Sequence, residues 1–408
     1  MQALKGDIVI FGLARWDGEY SSTTLALAQE LSKQNRVFYL DNPLTLFSVA
    51  KDFKKSLVKK RWKASLLGKH FVVQPFPKLS QLHVVYLPLV LPINFLPKSS
   101  LFRVLKAFND WLIYRRLDRL WKIKDLKNAT FINIYNPIFP TQLPKRFGAN
   151  PQVYFTVDKI SASDYLKKHG PWLEKLAMEN ADFGLATSRQ LQSDYQHLNT
   201  VHYLPNAADI SLFARSRETS FDCPDEIKNL QGDIILYTGN LSIREDFVLL
   251  LKISKAYPQK HLVLVGPINT KRHLEIGLDK RENVHFLGPK KLEELPAYLQ
   301  HAQVAIIPFL CNALTAAIYP LKINEYLATG IPVVSTAFSK DIAAFQEVIY
   351  LSQSHDEFLA NLEKAIQEDS KEKQEQRFEF AANNTWENRA DLLRTYITDY
   401  RTKVTLPV

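Results

Sequence analysis

The stretch with the strongest claim to chemistry runs from Pro320 to Thr336, Pro-Leu-Lys-Ile-Asn-Glu-Tyr-Leu-Ala-Thr-Gly-Ile-Pro-Val-Val-Ser-Thr. It reads as a helix, a stop and a strand. Pro320 suits the first helical position, where a missing N–H costs little. Gly330 suits a left-handed stop, Pro332 prevents resumption, and the β-branched run Val333 to Thr336 predicts a strand. A helix start attracts phosphate through its unpaired N–H groups and positive dipole end. Lys322 lies in the first turn, and Glu325 follows three residues later on the same face. A cation, a helix N-terminus and a carboxylate can together hold a nucleotide: diphosphate on the first two, ribose hydroxyls on the third. The alternative is an i,i+3 surface pair contributing only about 0.2–0.5 kcal/mol.

A second candidate follows the apolar run Asp7 to Gly12, in Gly12-Leu13-Ala14-Arg15-Trp16-Asp17-Gly18. Asp17 can accept a proton as a general base, and Trp16, beside Arg15, offers a flat ring for stacking. Alternatively Asp17 and Gly18 form a turn, and Ser21 or Ser22 caps the next helix. Asp158 ends the strand-like run Tyr154 to Val157 and either acts there or caps a loop. No His/Asp/Cys cluster has metal-ligand spacing, so no metal is expected. No Gly-x-Gly-x-x-Gly follows an opening strand, which argues against a dinucleotide oxidoreductase.

These residues need elements to position them. Strands are expected at 7–12, 36–40, 71–73, 82–87, 130–134, 152–157, 183–187 and 201–206. Helices are expected at 21–33, at 172–180 and from Ser188 through Tyr195. Residues 206–232 have little periodicity and read as a linker. A second strand–helix alternation fills 233–375, and a final helical segment occupies 376–408, with Trp386, Leu392, Leu393, Tyr396 and Ile397. Alternating βα units imply parallel sheets covered by helices on both faces. A chain of 408 residues suits two such domains, at 1–205 and 233–375.

Charge divides the chain. Residues 1–205 carry 29 lysines and arginines against 15 acids, whereas 233–375 carry 15 against 18. The densest basic run is Lys51, Lys54, Lys55, Lys59, Lys60, Arg61, Lys63 and Lys69, interspersed with Phe53, Leu57, Trp62, Leu66 and Leu67. Such a segment can lie on an anionic bilayer, so residues 51–69 are expected at a membrane surface. A second basic stretch, Leu101 to Lys127, reads as an amphipathic core helix with a solvated face. No nucleic-acid module accompanies this charge. The apolar run Val84 to Leu96 is broken by Pro88 and Pro92 and is too short to span a bilayer. Cys223 and Cys311 are the only cysteines, so no disulfide framework is implied. The expected location is cytoplasmic and peripheral, on the inner face of the cell membrane.

Five segments in order carry a family resemblance: Tyr237-Thr238-Gly239-Asn240-Leu241, Leu262 to Pro267, Asn283 to Gly288, Val304 to Phe309, and the helix from Pro320. On these the chain resembles GT-B glycosyltransferases, particularly the family-4-like (group 1) enzymes of bacterial cell-surface polysaccharide and teichuronic acid synthesis. The resemblance implies an α/β fold of two Rossmann-like, doubly wound parallel-sheet domains facing a central cleft. The first domain would serve the acceptor and the second a UDP- or GDP-linked sugar, with the last helix crossing back to the first. No cofactor besides the nucleotide-sugar substrate is implied.

The resemblance assigns donor contacts to Gly239, Asn240, Arg244, Gly266, Leu287, Gly288, Phe309, Asn312, Pro320, Lys322 and Glu325, and acceptor contacts to Arg15, Trp16, Asp17 and Asp158. Asp17, Lys322 and Glu325 are the catalytic candidates. Two departures stand out. Relatives carry an arginine directly after the first glycine and a Lys-Gly pair a few residues later; here those places hold Asn240 and Glu245-Asp246. Arg244 either substitutes in this clamp or faces solvent. Retaining relatives carry a glutamate where this chain has Ala317. The expected activity is sugar transfer from a nucleotide-sugar to a lipid-linked or polysaccharide acceptor. Its rivals are a nucleotide-sugar epimerase of the same fold and a catalytically inactive membrane- or glycan-binding scaffold.

Overall fold

In a computed structural model, which describes residues 4–18, 22–52 and 56–405, the chain forms two compact units: Met1–Pro205 with Arg389–Val408, and Asn206–Asn388. The first unit is built on eight strands: β1 (Ile8–Gly12), β2 (Val37–Asp41), β3 (Val72–Val73), β4 (Leu82–Tyr86), β5 (Thr130–Ile134), β6 (Gln152–Thr156), β7 (Phe183–Ala186) and β8 (Val201–Tyr203). Their order is β3-β4-β2-β1-β5-β6-β7-β8, and all pairs are parallel except β3 with β4. The helices are α1 (Thr23–Leu31), α2 (Leu46–Asp52), α3 (Ser56–Leu67), α4 (Ser100–Lys124), α5 (Gly170–Asn180) and α6 (Arg189–Tyr195). β1, β2, β4 and β5 are buried along their whole length, which is why they read as near-continuous apolar runs.

The second unit holds β9 (Ile234–Thr238), β10 (His261–Val265), β11 (Val284–Gly288), β12 (Val304–Ile307), β13 (Val333–Thr336) and β14 (Tyr350–Ser352), all parallel, in the order β11-β10-β9-β12-β13-β14. Its helices are α7 (Ile210–Glu218), α8 (Phe247–Ala256), α9 (Arg272–Glu275), α10 (Leu295–Gln300), α11 (Leu321–Thr329), α12 (Lys340–Ala343), α13 (His355–Gln367) and α14 (Lys371–Ala382). The last helix, α15 (Trp386–Thr405), joins the first unit from Arg389 onward. Counted within the second unit, the strand order is third, second, first, fourth, fifth, sixth. That is the doubly wound arrangement, which opens a ligand crevice where the order reverses, between the C-terminal ends of β9 and β12. The first unit repeats the order through β4-β2-β1-β5-β6-β7, with its reversal between β1 and β5.

Several expectations need correction. Residues 206–232 are not a bare linker: they carry α7, whose start is capped by the Asp209 side chain accepting from the Leu212 N–H. Its buried face is only Ile210, Phe213 and Ser216, too sparse to register as a period. The final helical segment is two helices, because Thr385 caps a new start through the Asn388 N–H. Pro320 stands just outside α11 as its N-cap, at φ −76° and ψ 120°, with no side chain capping the helix; Gly330 ends it at φ 81°. Phe53, Lys54 and Lys55 of the basic run lie outside the described residues.

Three strand ends are laced together by glycine. The Gly239 N–H donates to the Val265 carbonyl at 2.8 Å, and the Gly266 N–H to the Gly288 carbonyl at 2.8 Å. Gly266 sits at φ 146°, and a Cβ there would collide with the Gly239 carbonyl oxygen. Gly266→Ala is therefore expected to lower the stability of the second unit by about 1–3 kcal/mol, read as a drop in the midpoint of denaturant unfolding.

Candidate functional site

The β9 end and the α11 start are fastened by two tyrosines. Tyr326 is fully buried, and its hydroxyl accepts from the Thr238 N–H at 2.8 Å, tying α11 to the last residue of β9. Tyr237, also fully buried, receives a hydrogen bond from Lys322 Nζ at 2.8 Å and donates to Glu245 Oε1 at 2.7 Å. Glu245 Oε2 accepts from the Ser242 N–H at 2.5 Å, so one carboxylate fixes the loop between β9 and α8. Burial pushes the Tyr237 hydroxyl well above its ordinary range, so it stays a donor.

Lys322 is caged by aromatic rings. Its Nζ lies 4.1 Å from the Tyr237 ring centroid and 4.9 Å from that of Phe309. Such contacts are worth about 0.5–2 kcal/mol each. Burial lowers the Lys322 ammonium to about 8, partly offset by the charges of Glu245 and then Glu325, and raises the Glu325 carboxyl to about 7, partly offset by Lys322. Both side chains keep a partial opening to solvent. They are not the surface ion pair that their spacing allows: Lys322 is committed to Tyr237 instead. Gly239, at φ 138°, leaves the space above Lys322 open; a Cβ there would stand 2.7 Å from Nζ. A glycine turn, a fixed ammonium and an uncapped helix start converge at the reversal point of the sheet. This set can receive a diphosphate.

The other donor-side candidates spread around this centre. The Asn240 side chain is exposed and accepts from Asn269 Nδ2 at 2.9 Å. Phe309 is buried, pairs through its backbone with Glu245, and packs on Phe338 with ring centroids 4.9 Å apart. Leu287 and Gly288 end β11, next to Gly266. Arg244 is half-buried, and its carbonyl accepts from the Leu310 N–H at 2.8 Å. Asn312 is exposed, but its Oδ1 accepts from the Leu314 and Thr315 N–H groups, so only its amide nitrogen is left for a ligand. Ala317 is 1% exposed, packed into a short turn where a longer side chain would have to move its neighbours.

Glu245 and Asp246 are the residues that motif comparison misreads. They stand where a basic clamp is expected, yet both are anchors. Asp246 caps α8 through the Leu249 N–H at 3.0 Å, and its other oxygen meets His355 Nε2 at 2.7 Å. The cap is visible in the sequence as an aspartate before an apolar run; the Glu245–Tyr237 bond is not.

In the first unit, Arg15, Trp16 and Asp17 follow the end of β1. The Tyr39 hydroxyl donates to the Ala14 carbonyl at 2.6 Å, holding this loop against β2. The unforeseen member is Arg61 of α3. It is 1% exposed, pairs with Asp17, and reaches Asp41 at 2.9 Å. Its guanidinium also lies 5.8 Å from the Trp16 and Tyr86 rings. Arg61 therefore cannot be one of the cations offered to a membrane, because two carboxylates draw it inward. Burial raises Asp41 to about 6 despite that arginine. Ser22 caps α1, accepting from the Leu25 N–H at 3.2 Å, as the turn reading of this loop requires. Asp158 follows β6, and Tyr135 at the end of β5 adopts a left-handed backbone at φ 55°, a feature no sequence signal predicts.

A cavity of about 570 Å³ opens at the other end of the second sheet, beside the starts of β12 and β13, near Ser216, Gly330 and Lys371. The charged residues on that side pair with one another, as Arg377 does with Asp369 and Arg217 with Glu375, so the converging groups at the β9 end make the better site. Among the described residues, no group of three His, Cys, Asp or Glu side chains could hold a metal ion.

Comparison with known proteins bears on the family and the fold. Residues 232–368 match the family described as Glycosyl transferases group 1. TuaH of Bacillus subtilis, named as a teichuronic acid biosynthesis glycosyltransferase, is 25% identical over 218 residues, 49% of this chain and 54% of its own length. The match thus spans about half of that curated relative. Among solved structures, a sucrose-phosphate synthase from Thermosynechococcus elongatus superposes with a TM-score of 0.65 at 16% identity, covering 97% of this chain and 100% of that one. An alpha,alpha-trehalose-phosphate synthase (UDP-forming) from Burkholderia vietnamiensis gives 0.69 at 13% identity, covering 97% and 99%. At these identities the structures share the fold. The GT-B fold and the group 1 resemblance are both upheld.

Replacing Arg61 by methionine would leave two carboxylates without their buried counter-charge. The expected loss is about 3–5 kcal/mol near neutral pH. Asp41 titrates higher folded than unfolded, so its contribution to stability is present at low pH and lost as pH rises through about 6. Urea unfolding of the variant is therefore expected to show a smaller deficit at pH 5 than at pH 7.5.

Proposed function

We propose that the protein transfers a sugar from a nucleotide-sugar to a lipid-linked or polysaccharide acceptor in cell-surface glycan synthesis. The observation that carries this reading is the caged Lys322 beneath Gly239, at the uncapped start of α11 and the reversal point of the sheet. In the reaction, the bond between the anomeric carbon and the diphosphate oxygen breaks, and the acceptor oxygen bonds to that carbon. The acceptor's proton is lost, and negative charge develops on the departing diphosphate. A fixed ammonium and oriented N–H groups stabilise that charge without having to reorganise. Glu325 accepts hydrogen bonds from the ribose hydroxyls. Asp17, oriented by Arg61, serves the acceptor with Arg15, Trp16 and Asp158.

One fold relative is named as UDP-forming, which supports uridine diphosphate as the first nucleotide to test, with GDP as the comparison. The name of TuaH supports a cell-surface glycan acceptor. A cytoplasmic, peripheral site on the inner membrane face fits such an acceptor. Lys59 and Lys63 of α3, exposed beside Leu66 and Leu67, are the part of residues 51–69 suited to that surface. No described helix is long and apolar enough to cross a membrane.

One observation favours a second reading, the inactive scaffold: Ala317 supplies no sugar-orienting carboxylate, and its surroundings are packed. Turnover separates the two. With radiolabelled UDP-sugars and a membrane extract as acceptor source, wild type is expected to transfer label. Glu325→Ala is expected to raise the donor KM about ten-fold or more, the worth of a hydrogen bond to a charged group. Tight UDP binding without any transfer would select the scaffold, and an unchanged KM would remove Glu325 from the donor site.

A further inference from the structure

Helix α4 was expected to bury its apolar residues and solvate its basic ones. It buries Phe102, Ile113, Leu117 and Leu120 as expected, but it also draws Asn109 and Arg116 inward and leaves a line of apolar residues outside. Its buried positions are Phe102, Asn109, Ile113, Arg116, Leu117 and Leu120. Asn109 bonds both the N–H and the carbonyl of Leu91, at 2.8 and 3.0 Å. Arg116 donates to the Tyr86 carbonyl at 2.6 Å and to the Ser65 carbonyl at 2.9 Å. With polar groups drawn inward, apolar ones are left outside: Leu101 is 55% exposed, Val104 63%, Phe108 43% and Trp111 47%. Their spacing of three, four and three residues places them in one line, about 15 Å long at 1.5 Å rise per residue. Phe108 and Trp111 stack with centroids 5.7 Å apart. The line continues in cations: the Arg115 guanidinium lies 5.0 Å from the Trp111 ring, and Lys122 is exposed two turns further on. Arg103 is exposed beside the apolar part. The acids of this helix are largely spoken for, since Asp110 pairs with Lys106 and Asp118 with Arg146.

We propose that the outward face of α4 is a docking surface for an anionic lipid bilayer. Leu101, Val104, Phe108 and Trp111 enter the interfacial region while Arg103, Arg115 and Lys122 meet the headgroups. An aromatic pair in an apolar line that runs on into basic residues is complementary to such a surface. A second copy of the chain would have to bring a matching apolar line together with acids opposite these cations, and this face carries no such unpaired acids to offer in return. The inference goes beyond the functional reading above, which placed membrane contact on residues 51–69, and it does not depend on the donor site.

The test is co-sedimentation of the full chain with vesicles of phosphatidylglycerol and phosphatidylethanolamine, against phosphatidylcholine alone. Wild type is expected to bind the anionic vesicles and not the neutral ones. The double variant Phe108→Ser, Trp111→Ser is expected to lose at least about ten-fold in binding, with UDP affinity and thermal melting unchanged. Arg115→Glu, which leaves the apolar line intact, is expected to weaken binding and to flatten its salt dependence, since fewer cation–headgroup attractions remain to be screened. The proposal is overturned if wild type ignores anionic vesicles, or if the double variant binds like wild type while Lys59→Glu, Lys63→Glu does not. It is also overturned if light scattering shows a dimer that the double variant dissolves.

Discussion

The second unit turns on one buried cation held by rings and a phenol in place of a carboxylate. A lysine neutralised by an acid would offer an incoming diphosphate little net attraction. Lys322 is instead positioned by Tyr237 and Phe309, and the carboxylates of Glu245 and Glu325 act on its charge through space rather than by direct contact. Burial makes that charge expensive, which is why the ammonium is lowered to about 8. The surrounding features follow from this choice. Tyr237 must be rigid, so Glu245 accepts its hydrogen bond and fastens the adjoining loop. The helix must not shift, so Tyr326 bolts it to β9. The turn above must have no side chain, so residue 239 is glycine.

The first unit handles charge differently. Its net positive balance is shared between two kinds of cation. Several arginines work inside or along seams: Arg61 between two aspartates, Arg116 and Arg119 on carbonyls at and just past the end of α3, and Arg36 on Asp7. Lysines such as Lys59, Lys63 and Lys122 stay at the surface. The planar guanidinium can satisfy several acceptors at once when buried, whereas an ammonium is better left hydrated. Total charge therefore overstates what this unit can present to an anionic partner.

Much of the fold is legible in the sequence because its signals are local. Fully buried parallel strands read as short apolar runs, and Ser22, Ser188 and Gly330 mark helix ends through bonds within a few residues. What escapes is tertiary. Arg61 and Lys59 look alike in a basic run, and only the fold places Asp17 and Asp41 opposite one of them. The line Leu101, Val104, Phe108, Trp111 and the line Asn109, Ile113, Arg116, Leu120 are both regular on α4. Periodicity shows that two faces exist without saying which is turned inward. Glu245 reads as a lost clamp until its partner, Tyr237, is seen across the turn.

The most direct measurement is calorimetric titration of UDP into wild type, Lys322→Ala and Glu325→Ala between pH 6 and 9.5. Lys322 binds diphosphate as the ammonium, so affinity should fall as pH rises through about 8. Glu325 accepts from ribose as the carboxylate, so affinity should also fall as pH drops through about 7. The account predicts a maximum between these values, with the alkaline limb missing in Lys322→Ala and the acidic limb flattened in Glu325→Ala. A pH-independent affinity, or variants that bind UDP as wild type does, would contradict it.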